Sequence, residues 1–71
     1  MNADGLVEEM RRVAPLAFEK SPYTAAAFVE RARELLEIGS PGAVIGLMMD
    51  LLSYEERLRR LDSRVSRRLL R

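Results

Sequence analysis

Neither cysteine nor histidine occurs among the 71 residues. The first absence excludes disulfides, thiolate nucleophiles and sulfur-ligated zinc. The second removes the commonest acid–base catalyst, the commonest metal ligand and the one side chain that ordinarily changes charge near neutral pH. Long apolar runs are missing too: the longest, Ala43 to Met49, stops at Asp50, far short of the roughly 20 residues that cross a bilayer. The first residues include acids and no basic segment ahead of a hydrophobic run, so no secretory signal is expected and the chain reads as cytoplasmic, without a membrane partner.

What remains is a chain with 48% hydrophobic and 32% charged residues, the balance of a folded protein and not of a disordered tail. Its length allows one domain, residues 1–71, and a core too small to be comfortable alone. With staples and zinc excluded, association with another chain is the remaining route to further burial. A net charge of +1 conceals an asymmetry. Residues 1–56 hold ten acids against four Arg and one Lys, whereas residues 57–71 hold seven Arg and only Asp62. Eleven of the twelve basic residues are arginine, a bias that GC-rich coding produces unaided and that selection for guanidinium geometry also produces.

The apolar spacing is helical throughout, and the fold class is all-α. Helices are expected at about 4–20, 22–38 and 41–70. In the first, Leu6, Val7, Met10, Val13, Ala14, Ala17 and Phe18 share one face, with Asp4 as N-cap. Pro15 interrupts the hydrogen bonding, and because the face continues in phase a kinked helix is favoured over two pieces. Ser21-Pro22 reads as a cap and first turn of the second helix, whose buried face is Ala25, Phe28, Val29, Ala32, Leu35 and Leu36 and whose end is Gly39. Arg31 with Glu34, and Arg33 with Glu37, form a solvated outer face. Ser40-Pro41 repeats the start signal at once, so the second and third helices form a hairpin. Gly42 and Gly46, one turn apart, are expected to let the third helix approach the second closely.

In the third helix Val44, Leu47, Leu51, Tyr54, Leu58, Leu61 and Val65 alternate at spacings of 3 and 4, the repeat of a coiled-coil seam. Ile45, Met48, Met49 and Leu52 widen the apolar face before Tyr54, so that half is expected to be buried on more than one side. At 1.5 Å per residue the third helix is about 45 Å long and the second about 25 Å, which leaves Leu58 onward in need of cover. The expected solution is a homodimer through the seam Leu51, Tyr54, Leu58, Leu61 and Val65, giving a coiled-coil-like bundle. A parallel pair sets Arg57 against the partner's Asp62 but Asp50 against Glu55, a slight preference over antiparallel. The alternative is that the first helix folds back over the seam.

No cofactor or metal is expected, and no enzymatic activity. Glu8, Glu9, Glu30, Glu34, Glu37, Glu55 and Glu56 are read as outer-face carboxylates beside arginines, and the Glu30/Glu34 pair has no facing ligands that would make a metal site. Met48 and Met49 read as core or adaptable contact surface. The expectation is a small regulatory protein, an inhibitor, anti-activator or adaptor, that binds a heterologous protein as a helical homodimer. Its contact residues are Tyr23, Arg59, Arg60, Arg64, Arg67, Arg68, Leu69 and Leu70, because Arg and Tyr are common interface anchors. The competing expectation is a nucleic-acid-binding accessory protein using the same arginines on phosphates.

Overall fold

A computed structural model describes the backbone of residues 2–69 and the side chains of residues 2–64. The chain is all-α: α1 (Ala3–Val13), α2 (Pro15–Lys20), α3 (Pro22–Ile38) and α4 (Pro41–Leu69), with no strand among the described residues. Each of the three prolines is the first residue of a helix. Proline suits that position because its missing N–H is one that the helix leaves without an internal acceptor, and its fixed φ is already helical.

The starts and stops differ in detail from the sequence reading. Asn2, and not Asp4, caps α1: its Oδ1 accepts a 2.7 Å hydrogen bond from the Gly5 N–H. Asp4 sits inside the first turn, where a carboxylate suits the positive end of the helix. Residues 4–20 are not one bent helix. Ala14 leaves the helical region at φ −133°, ψ 56°, so α1 stops at Val13 and α2 starts afresh at Pro15. The residue before a proline is pushed out of the α region by the ring, and Ser21, before Pro22, adopts nearly the same angles. The Ser21 side chain makes no cap bond to α3; its hydroxyl accepts instead from the Tyr54 hydroxyl of α4, at 2.7 Å. Gly39 ends α3 in the left-handed region at φ 77°, its N–H bonded to the Leu35 carbonyl at 3.0 Å. Only glycine takes that conformation without a steric penalty.

Despite the break at Ala14 the apolar face of α1 and α2 stays in phase. Leu6, Met10, Ala14 and Ala17 are buried together with Ala32 and Leu35 of α3 and Val44 and Leu51 of α4. Three of these eight are alanines, which lets the helix axes approach closely around a few larger side chains, of which Met10 and Leu51 are completely enclosed. Phe28, Tyr54 and Leu58 lie half-buried against this core, with the Phe28 and Tyr54 rings tilted at 6.4 Å between centroids. All three shorter helices contact α4, which runs the length of a body measuring 50 × 18 × 17 Å.

Two expectations about α4 fail. Gly42 and Gly46 do not face α3: a Cβ on either would have no neighbour within 4 Å. Ile45, Met49 and Leu52 do not widen the buried face; they are exposed on the outside of the helix. The reason is angular. At 100° per residue, Ile45, Met49 and Leu52 lie within about 60° of one another and about 100–160° away from Leu51, with Gly42 and Gly46 on their flank.

Candidate functional site

The five seam residues are distributed between the chain's own core and its surface. Leu51 is fully buried by the chain itself and is therefore not available to a second copy. Tyr54 donates to Ser21 and packs on Phe28, and Leu58 packs partly on the core. Leu61 is 55% exposed. The side chain of Val65 lies outside the described residues. The seam thus separates after Leu58 into a covered part and an open part, and the helices that cover it are α1, α2 and α3 of the same chain.

Beside Leu51 and Tyr54 lies the residue that the sequence reading misplaced. Glu55, expected on the outer face, is 2% exposed. Its carboxylate accepts from two backbone amides at the start of α2, Oε2 from Leu16 N–H at 3.1 Å and Oε1 from Ala17 N–H at 2.9 Å. The need for it follows from the α1–α2 break. Ala14 occupies the N-cap position of α2 and has no side-chain oxygen, so the first amides of α2 would otherwise be buried without acceptors. A carboxylate from a helix nearly 40 residues further along the chain does the work of a local Ser or Asp. The charge is compensated by the positive end of α2 and by Arg59, whose Nη2 lies 3.7 Å from Glu55 Oε2. Nothing local in the sequence marks Glu55. The available signal is indirect: a Pro15 restart preceded by an alanine leaves donors that some distant acceptor must satisfy.

The arginines expected to meet a partner fall into two groups. Arg59 and Arg60 are tied to carboxylates one turn back, Glu55 and Glu56 respectively, the latter at 3.3 Å. Arg64 is exposed, and with Arg57 and Arg60 it borders Leu61 in a shallow depression. Arg57 lies over the Tyr54 ring at 5.8 Å. Tyr23 is 93% exposed. It stands at the same end of the body as Leu61, because Ser21 is bonded to Tyr54 and Lys20 forms an ion pair with Asp62. That pair holds the Lys20 ammonium above its ordinary pKa, chiefly through the hydrogen bond to Asp62. The side chains of Arg67, Arg68, Leu69 and Leu70 lie outside the described residues.

An open cleft of about 510 Å³ between α1–α2 and α3 is lined by Arg11, Phe18, Pro22, Ala26, Val29, Glu30 and Arg33. The Arg11 guanidinium covers the Phe18 ring at 5.0 Å. On the opposite side of the molecule from the core is the stripe Ile45, Met49, Leu52, with Ile38 exposed near its start. Among the described residues, no three carboxylates converge as a metal site would require. Glu34 is paired with Arg31 at 3.0 Å on the outer face, and Glu30 is exposed. No protein-family model, curated protein or solved structure matches the chain.

Proposed function

We propose that this chain is a non-enzymatic regulatory protein that binds another protein and occludes or bridges it. In this reading α3 and α4 form a helical hairpin, α1 and α2 brace it, and the assembly works as a homodimer. The observation that supports the reading is Leu61: a large aliphatic side chain 55% exposed, ringed by the exposed Arg57, Arg60 and Arg64. An apolar anchor inside a cationic rim suits an acidic, amphipathic segment of a partner, with the leucine supplying burial and the guanidiniums supplying orientation and on-rate. Tyr23, at the same end of the body, extends that surface.

The test is comparative capture from the native host with the parent chain and with a Leu61→Asp, Arg64→Glu variant. Both residues are exposed, so the variant keeps the fold. A protein retained by the parent and lost by the variant supports the reading; identical retention by both overturns it. The same arginines could instead meet phosphates, and a mobility-shift assay at 50 and 200 mM salt separates the two. Binding that collapses between those salt concentrations assigns the face to nucleic acid.

A further inference from the structure

Gly46 lies in the interior of α4, where glycine weakens a helix, yet within this chain nothing is gained from it, since the space above it is open. It borders an apolar face that the chain also leaves open: Ile45 is 62% and Met49 63% exposed, with Leu52 next on the same face. From Ile38 through Met49 there is no charged residue. A helix that turns glycine and large aliphatic side chains outward together, with Asp50 as the one charge on their flank, has the composition of a contact between closely approaching helices.

We infer that this outer face of α4 is the interface with a second copy of the chain, in an antiparallel two-fold arrangement centred on Met49. In that register Met49 meets its counterpart at the axis, Leu52 of each copy lies over Gly46 of the other, and Ile45 lies over Ser53. On either side of the axis a large side chain comes level with a small one, Leu52 with Gly46 and Ile45 with Ser53, which is the self-complementarity that a two-fold contact requires. The charges beyond the stripe select the same direction. Further along, Glu56 comes level with Gly42 in the first turn of the other copy's α4, where a carboxylate meets the positive helix end. Arg60, one turn further, passes beyond Pro41 toward the turn that ends α3. The last turn of α3 contains Glu37, which is exposed and has no ion-pair partner among the described residues, and it contains no basic residue. A parallel pair would instead set Glu56 against Glu56 and Arg60 against Arg60.

The exposed parts of Ile38, Ile45, Met49 and Leu52 amount to roughly 400 Å² per copy, as large as the main apolar patch of an ordinary monomer. With the glycines, Ser53 and the flanking charges, a pair buries on the order of 1,000–1,200 Å², the lower edge of stable interfaces, so the dimer is reversible at micromolar concentration. The interface is not the heptad seam, whose Leu51 the chain covers itself. It also does not depend on a partner at Leu61.

Sedimentation equilibrium across the micromolar range tests it. The parent should move from 8.1 kDa toward twice that mass as concentration rises. Gly46→Leu fills the space that the other copy's Leu52 needs, and its Cβ meets nothing in its own chain. It should melt no lower than the parent when dilute, with association weakened by at least about tenfold. Met49→Lys, at another exposed site, should do the same. Because the chain has no cysteine, direction can be read by oxidising a mixture of Gly46→Cys and Leu52→Cys chains. The mixed disulfide should dominate. A parent that stays monomeric, a Gly46→Leu chain that still dimerises, or disulfides formed mainly between identical variants would overturn the inference, the last by showing a parallel pair.

Discussion

Glu55 and Glu56 are neighbours on α4, and the 100° between them carries one into the core and leaves the other on the outer surface. Glu55 closes the open end of α2; Glu56 pairs with Arg60 in water. The same division runs along the first half of the helix. Val44 and Leu51 are buried on one side, and Ile45 and Met49 are exposed on the other. The two faces are nearly matched in hydrophobicity, so what separates them is not side-chain type. It is which face α1, α2 and α3 reach. The contrast teaches that an apolar stripe on a helix identifies a surface needing cover without saying whether the cover is internal.

The largest expected effect comes from removing the buried carboxylate. Glu55→Ala leaves two buried amides without acceptors and should destabilise the fold by about 2–5 kcal/mol, lowering the melting temperature by more than about 10 °C. Glu56→Ala should change stability by no more than about 0.5 kcal/mol. Thermal melts of the two variants side by side would break the comparison if their shifts were equal. Next comes the aliphatic pair, compared in dilute solution. Leu51→Ala empties a fully enclosed site and should lower stability by about 3 kcal/mol. Met49→Ala, on the open face, should stay within about 0.5 kcal/mol. Denaturant titrations read both, and a large loss at Met49 in the monomer would show that the outer face is covered from within.

A smaller effect has the opposite sign. Gly46→Ala should stabilise the dilute chain by about 0.5–1 kcal/mol, because it improves helix propensity and the new methyl meets nothing. A lower melting temperature in that variant would mean that the space above Gly46 is not open. The smallest effect is expected at the Lys20–Asp62 pair, which ties the end of α2 to α4 at the surface. Folding raises the Lys20 pKa above its ordinary 10.5, so the pair's contribution is full below that pH and fades as pH rises through the folded value. Melts of Lys20→Met and the parent at neutral pH should differ barely detectably, and should coincide at high salt.

Much of the molecule was legible in its residues. Pro22 and Pro41, directly after Ser21 and Ser40, mark two helix starts, and Gly39 marks a stop, because these are local steric facts; Pro15 marks a third start that was expected as a kink within one helix. The inward face of α3, buried at Ala25, Ala32 and Leu35 and half-buried at Phe28, Val29 and Leu36, follows from the 3.6-residue repeat, and so do the pairs Arg31–Glu34, Arg59–Glu55 and Arg60–Glu56. Arg33 and Glu37 have the same kind of spacing and do not pair, since exposed ion pairs of this kind contribute too little to hold two long side chains together.

Other features were decided only when the helices came together. A run of adjacent apolar residues such as Val44, Ile45, Leu47, Met48 and Met49 surrounds the helix on most sides, and periodicity alone cannot say which part of it faces inward. The choice was made by the fold-back of α1 and α2, which bury Leu51 and turn Gly46 and Met49 to the outside. Ser21 lost its expected capping role because the Tyr54 hydroxyl arrives beside it, and Glu55 gained one because Ala14 offers no oxygen of its own. The sequence by itself determined where α3 begins and ends and where α4 begins, because proline and glycine act within a few residues. Which face is core, which carboxylate is buried and which stripe stays open belong to the tertiary structure, because burial and hydrogen-bond satisfaction are properties of groups far apart in the chain.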